Sequence, residues 1–382
     1  MTWSVYQHWD PLRVCVVGRT YPPEFYSWIK IPHVRELFER IVIETEEDFQ
    51  NIIKKLEEFN VQILRPNLPK ITYMHDRYVV PPMTPRDIMC MIGDKFYTTD
   101  LFSFNFKDFY HAVKDPLWPS CDNYETFITL PDFIQSECYN MHNLQQHLDY
   151  ADSLFCQYSH IFAAVRNQNN SIAVTKELYA CGAMVSRIGK DLYFATDRYD
   201  SNINNYKKIL NKEFPNTRNH VVNTGGHGDG TYCPVCPGLI ISLRDVPTYA
   251  DTFPGWEVIY LPNQSWDAVK PFLDLKRKNR GKWWIPGFEY DQSVTDVVET
   301  WFGHWTGYIE ETVFDVNMLI IDPKNVMVFN YNKQVFDALS RYGITPHVVP
   351  FRHRYFWDGG IHCVTLDLHR EGTMQDYFSQ RG

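Results

Sequence analysis

The chain has no run approaching the ~18 consecutive apolar residues that a spanning helix needs, so nothing in it reads as a membrane segment. It also lacks a basic stripe. The formal net charge is -9 with acidic and basic residues mixed, which gives nucleic-acid binding little support. The opening residues, MTWSVYQHWDP, hold neither an apolar signal run nor an arginine-rich amphipathic segment. Low-complexity tracts and long linkers are absent, as are a phosphate-binding glycine loop and a dinucleotide fingerprint, so no cofactor is expected. The nine cysteines are odd in number and follow no framework. That usage fits a reducing cytoplasm better than a secreted disulfide scaffold.

The 382 residues, 44% of them hydrophobic and 16% aromatic, can fill a sizeable core. One structural unit recurs. RVCVVG reads as a strand, TEEDFQNIIKKLEEF (45–59) as an amphipathic helix, and VQILRP as a strand. IMCMIGDKFYTTD (88–100) is two apolar runs about a Gly-Asp turn, which is hairpin chemistry. VSRIGKDLYFATD (185–197) has the same form and is followed by the helical NNYKKILNKEF and the strand NHVVNT. MLIIDPKNVMVFN (318–330) repeats it ahead of KQVFDALSRYG and TPHVVPF, and a weaker copy runs from GLIISL to WEVIYLP. Hairpin, helix and strand in repetition point to an α/β repeat architecture. Segments 101–170 and 263–305 fit the unit poorly and read as insertions. The tryptophan-rich KWWIPGFEYD within the second reads as a cover over a site or an interface, or as surface packing, the more ordinary reading.

Four polar features stand beside the expected strand ends. Asp87 directly precedes the apolar strand of TPRDIMCMIGDKFY, where an Arg-Asp pair also suits an ordinary turn. In GGHGDGTYCPVC, an extended backbone would put His227 and Asp229 on one face, with glycines leaving room for a ligand. SRIGKD is the third feature. The fourth is WDGGIHCVTLDLHREG, where alternation along IHCVTLDL sets Val364, Leu366 and Leu368 on one face. Cys363, Thr365 and Asp367 take the other, and Gly359 and Gly360 allow close approach of backbone or ligand. Cys363 is then either a buried structural thiol or a nucleophile. Cys233 and Cys236 have the spacing of a metal or redox pair, but a structural zinc needs four ligands and no partner pair is visible, so no metal is expected.

Taken in order, PRDI with an apolar run, RIGKD, HGDGTY with PGLIIS, and DGGIHCVTLDLHREG resemble the amidinotransferase family of the guanidine-modifying superfamily. The motifs span residues 86 to 372. The resemblance implies one domain over 1–382, a five-bladed pseudo-symmetric α/β propeller of ββαβ units, and a homodimer. It implies Cys363 as nucleophile, His227 as general acid and base, and Asp87 and Asp229 as guanidinium-binding carboxylates. Paired carboxylates suit a planar cation with several N–H donors, and a thiolate can reach its central carbon from above the plane. The implied activity moves the amidino group of L-arginine to an amine acceptor, with hydrolysis of the same intermediate and a non-catalytic binding protein as alternatives. Two departures stand out. Cys181 occupies the position of a family Asp that orients the histidine, with Met184 at a second Asp position and Glu177 the nearest upstream carboxylate. Glu310 and Glu311 replace small polar residues, which would suit a cationic or amine-rich acceptor if they line the pocket.

Overall fold

The computed structural model describes residues 2–70, 72–74, 77–99, 156–175, 181–196, 203–224, 227–243, 248–261, 285, 287–288, 290–302 and 315–381. Five three-stranded sheets make up an α/β structure, and all five share one topology: an antiparallel pair whose second strand continues through a crossover into a parallel third. The hairpin Met89–Ile92 and Lys95–Thr99 leads to Ser171–Thr175. Val185–Ile188 and Asp191–Thr196 lead through the helix Ile203–Glu213 to Arg218–Asn223. Tyr232–Cys236 and Leu239–Ser242 lead to Glu257–Tyr260. Leu319–Asp322 and Asn325–Val328 lead through Lys333–Arg341 to Thr345–Val348. In the fifth sheet Leu12–Val17 pairs antiparallel with Thr365–Arg370 and parallel with Gln62–Leu64. The two ends of the fold thus meet in one sheet. Among the described residues no helix is long and apolar enough to cross a membrane, and no disulfide occurs.

Local chemistry explains the elements. The helix expected at 45–59 begins at Pro32 and runs to Glu58, because Val34, Leu37, Phe38, Ile41 and Val42 extend the same buried stripe toward a proline at the first turn. It stops at Asn60, whose φ of 58° breaks the helical path. Gly189 turns the RIGKD hairpin at φ 63°, and a Cβ there would stand 2.1 Å from the Gln375 carbonyl oxygen, so both conformation and space demand glycine. In the GLIISL unit the hairpin partner is the buried strand Tyr232–Cys236. Its Cys233 and Cys236 pack into an apolar cluster with Ile240, Leu339 and Val326, and burial pushes their thiols up to about 12 and about 11.

The expected insertion at 101–170 lies outside the described residues up to position 155. Its last part is a helix over 156–167 that buries Tyr158, Ile161, Phe162 and Val165 against Met89, Met91 and Phe96. From the second expected insertion, Ile285, Val294, Val298 and Phe302 pack into the cluster under the helix Pro32–Glu58. Within KWWIPGFEYD the described Ile285 and Phe288 pack in that cluster, and Trp283 and Trp284 lie outside the described residues.

Between the sheets lies a buried ionic cluster. Arg86 precedes Met89–Ile92, Arg187 lies in Val185–Ile188, and Arg370 ends the strand that carries Asp367. All four side chains are fully enclosed. Asp367 meets Arg86 Nη2 at 3.0 Å, Arg187 Nη2 at 2.9 Å and Arg370 Nε at 2.7 Å. The second, polar face that holds Asp367 is interior: Thr365 and Asp367 have no exposed surface, and the face opposite Leu366 and Leu368 is a polar core. Burial alone would raise the Asp367 carboxyl, but Arg187, Arg86 and Arg370 outweigh it and hold it well below the usual carboxylate range.

Asp367→Asn leaves three buried guanidinium groups without their anion and is expected to cost about 3–5 kcal/mol in urea unfolding at neutral pH. The native-state carboxyl is depressed, so its stabilisation is full above about pH 3.9 and is lost only as pH falls through the lower folded value. The gap between wild type and variant should therefore persist to mildly acidic pH and close in strong acid. A neutral-pH loss below about 1 kcal/mol would contradict this account.

Candidate active site

Cys363 is not on the strand. It sits in a helical turn just before Thr365–Arg370, closed by the Val364 N–H to the Gly360 carbonyl at 3.1 Å and the Thr365 N–H to the His362 carbonyl at 3.2 Å. The alternation expected for IHCVTLDL holds only from Thr365 onward. Val364 therefore packs in the cluster of the helix Pro32–Glu58, whereas Leu366 and Leu368 face Met89 and Phe162. Gly360 does permit a close approach, as its place before the cysteine suggests. The group that approaches is the side chain of Asn317, whose Oδ1 would stand 2.1 Å from a Cβ at Gly360. Arg86 fixes the same turn from below, its Nε donating to the carbonyls of His362 (2.7 Å) and Thr365 (2.8 Å).

HGDG is a tight turn rather than an extended segment. The N–H groups of Gly228 and Asp229 both donate to the Ala183 carbonyl, at 2.9 and 3.2 Å. The turn separates its two functional groups by environment: the His227 side chain is 41% exposed and that of Asp229 only 7%. Asp229 Oδ2 accepts from His362 Nδ1 at 2.8 Å and from Cys363 Sγ at 3.5 Å. His227 Nδ1 faces Asp87 Oδ1 at 3.9 Å. Asp229 lies within electrostatic range of both His227 and Asp87, so the four residues singled out from the sequence form one cluster. Asp87 Oδ1 and Asp229 Oδ1 are each buried with no hydrogen-bond donor among the described residues.

Burial pushes the Asp229 carboxyl up to about 6; the nearby His227 opposes this and Asp87 adds to it. Asp87 is also raised by burial, against the pull of His227. His362 is held well below its ordinary value, first by burial and then by Arg86, so its contact with Asp229 is a neutral hydrogen bond rather than an ion pair. Cys181 is buried within range of Asp87 and Asp229, and burial, reinforced by Asp87, keeps its thiol protonated. It brings no negative charge to the place where the resemblance implies one. Glu177, Glu310 and Glu311 lie outside the described residues.

Two residues of the site carry little signal in the sequence. His362 adjoins the cysteine, but alternation assigns it to a strand face. Asn317 precedes an apolar strand from 46 positions upstream of Cys363, and only the packing of one sheet's entry against another's brings it in.

No family model matches the chain. The mitochondrial glycine amidinotransferase of Xenopus tropicalis is 23% identical over 416 residues, spanning 98% of this chain and 84% of the frog protein. An L-arginine:L-lysine amidinotransferase from Pseudomonas savastanoi pv. phaseolicola is 24% identical over 152 residues, 40% of this chain and 32% of that protein. Among solved structures, an amidinotransferase of saxitoxin biosynthesis from Microseira wollei superposes with a TM-score of 0.61 at 15% identity, covering 99% of this chain and all of that one. The inosamine-phosphate amidinotransferase of Streptomyces griseus gives 0.58 at 16% identity, covering 98% and 99%.

Because the Asp229 carboxyl is raised in the folded state, the native protein holds its proton more tightly than the unfolded chain. This contribution to stability is present below about pH 3.9 and is lost as pH rises through about 6. Difference infrared titration should show a carboxyl band converting near pH 6 that is missing in Asp229→Asn. A wild-type spectrum in which every carboxyl has converted by about pH 4.5 would contradict the raised value.

Proposed function

We propose that this chain, a relative of the amidinotransferases, moves the amidino group of L-arginine to an amine acceptor through a covalent intermediate on Cys363. The observation that carries the reading is the pair of buried carboxylate oxygens, Asp87 Oδ1 and Asp229 Oδ1, that accept no hydrogen bond among the described residues while a thiol stands 3.5 Å from the second carboxylate. A buried acceptor left unmatched is costly, and a planar cation with N–H donors on several sides would satisfy both. The two carboxylates would fix the guanidinium plane, so that sulfur meets the central carbon from above it.

The chemistry then follows by balance of bonds. The Cys363 thiolate forms a bond to the guanidinium carbon. The bond from that carbon to arginine Nε breaks, and the departing amine takes a proton from His227, releasing ornithine. The acceptor amine attacks the amidino-thioether, loses its proton to His227, and the carbon–sulfur bond breaks to restore the thiolate. With Cys181 neutral, Asp87 is the carboxylate that faces the imidazole, 3.9 Å away. It would then serve both the histidine and the substrate.

The same reading makes residues 1–382 a single domain, with the five like-built sheets as blades of a pseudo-symmetric five-bladed propeller closed by the pairing of Leu12–Val17 with Thr365–Arg370. A cytoplasmic setting rests on cysteine usage, and the frog relative's name carries a mitochondrial one.

Labelled arginine offered with a panel of amines should yield ornithine and a guanidinylated amine. With arginine alone, mass spectrometry should find an amidino adduct on the peptide containing Cys363. Cys363→Ala should lower turnover by about a thousandfold or more while keeping the fold. Citrulline or ammonia as product would mean hydrolysis, and arginine binding without turnover would mean a binding protein. Full activity in Cys363→Ala, or an adduct on Cys181, would overturn the assignment of the nucleophile.

A further inference from the structure

We propose that Asn317 sets both the position and the ionisation of the Cys363 thiol, acting as the donor that stabilises the thiolate. This rests on the reading of Cys363 as the nucleophile and adds to it a residue that touches the reacting atom. Asn317 is buried just before the strand Leu319–Asp322, which lies in a different sheet from the strand Thr365–Arg370 that follows the cysteine, and its amide makes four contacts. Oδ1 accepts from the backbone N–H of His362 at 2.8 Å and of Cys363 at 3.3 Å. Nδ2 donates to Cys363 Sγ at 3.1 Å and to the Asp229 carbonyl at 3.2 Å.

This pattern leaves the amide no choice of orientation. Rotated by half a turn, its NH2 would face two N–H donors and its oxygen would face the Asp229 carbonyl, losing all three contacts to the backbone. The backbone therefore dictates which end of Asn317 meets sulfur, and that end is a donor. A donor held against sulfur strengthens when the sulfur is negative, because a charge-assisted hydrogen bond is stronger than a neutral one. Other neighbours work the other way. Asp229 Oδ2, 3.5 Å from the sulfur, favours the protonated thiol when it is itself ionised. His362 is neutral and donates to Asp229 rather than to sulfur. Among the described residues, Asn317 is thus a group in contact with Sγ that favours the anion.

Geometry and ionisation are joined in the same amide. The two N–H groups that Oδ1 accepts belong to the turn that carries the sulfur, so the donor cannot drift from it without releasing that turn. The close fit of Asn317 over Gly360 serves this arrangement, because any side chain at position 360 would displace the amide.

Asn317→Asp keeps an acceptor for the two N–H groups but replaces the donor by an oxygen. Asn317→Ser keeps a hydroxyl that can donate. Alkylation of Cys363 by iodoacetamide, followed across pH by peptide mass spectrometry and needing no turnover, reads the thiolate directly. In Asn317→Asp the midpoint should move up in pH, slowing alkylation at neutral pH by about tenfold or more, the worth of one lost hydrogen bond to a charged group. The kcat profile should move with it while KM for arginine stays within about threefold. Asn317→Ser should fall between that variant and wild type. An unchanged alkylation midpoint in a folded Asn317→Asp protein would overturn the proposal. So would failure of both variants to fold, which would make Asn317 a purely structural residue. Should Cys363→Ala instead retain turnover, the amidino-transfer reading falls, while the alkylation shift still reports what Asn317 does to the thiol.

Discussion

One carboxylate holds this structure's centre. Asp367 is enclosed without exposed surface and binds three guanidinium groups that reach it from three different chain segments. Four ionised side chains in an interior are tolerable because opposite charges lie in contact and several of the other donors meet carbonyls, while Arg86 Nη1 and Arg187 Nε are buried with no hydrogen-bond partner among the described residues. Arg187 Nη1 donates to the Met91 carbonyl, Arg370 Nη1 to the Asp10 carbonyl, and Arg86 Nε to the carbonyls of His362 and Thr365. Space is shaped around these groups. A Cβ at Gly182 would stand 2.7 Å from Arg86 Cγ. Apolar clusters fill the space between sheets and helices, but they are tolerant of small shifts, whereas a bidentate ion pair is not.

The candidate site is built on that fixed point. Arg86 neighbours Asp87 in sequence, so the arginine that pairs with Asp367 also sets the height of a candidate guanidinium ligand. Through the His362 and Thr365 carbonyls it steadies the turn bearing Cys363 from one side, and Asn317 steadies it from the other. Charge falls off in layers: ionised arginines and Asp367 at the bottom, neutral His362 and a raised Asp229 above them, and a half-exposed His227 at the mouth. The carboxylates of Asp87 and Asp229 are thus less deeply enclosed than the guanidinium groups around Asp367.

Much of the fold was legible because its unit is local. A tight turn between two apolar runs is hairpin chemistry wherever it stands; the hairpins at 88–100, 185–197 and 318–330 all form, and the latter two take up their expected third strands. Boundaries were harder. The helix expected from Thr45 starts at Pro32, and Tyr232–Cys236 passes for a cysteine motif because a strand buried on both faces shows no alternation. In the site, Asp87, His227, Asp229 and Cys363 were visible as polar residues at strand ends and meet in one cluster. Asn317 and His362 were not, since an asparagine before an apolar strand and a histidine within one look ordinary until a second sheet is laid beside them. Arg86, Arg187 and Asp367 sat in motifs that read as chemistry, yet here they hold those motifs together.

The pairing of Leu12–Val17 with Thr365–Arg370 also orders events in time. During synthesis the strand Leu12–Val17 is made well before Thr365–Arg370, its antiparallel neighbour. Until then one edge of its sheet is open, Arg86 and Arg187 have no Asp367, and the turn that bears Cys363 does not exist. A nascent chain therefore carries Asp87, His227 and Asp229 before Cys363, and it acquires Asp367 and Cys363 within one short stretch. The core anion and the turn that bears Cys363 are thus completed together.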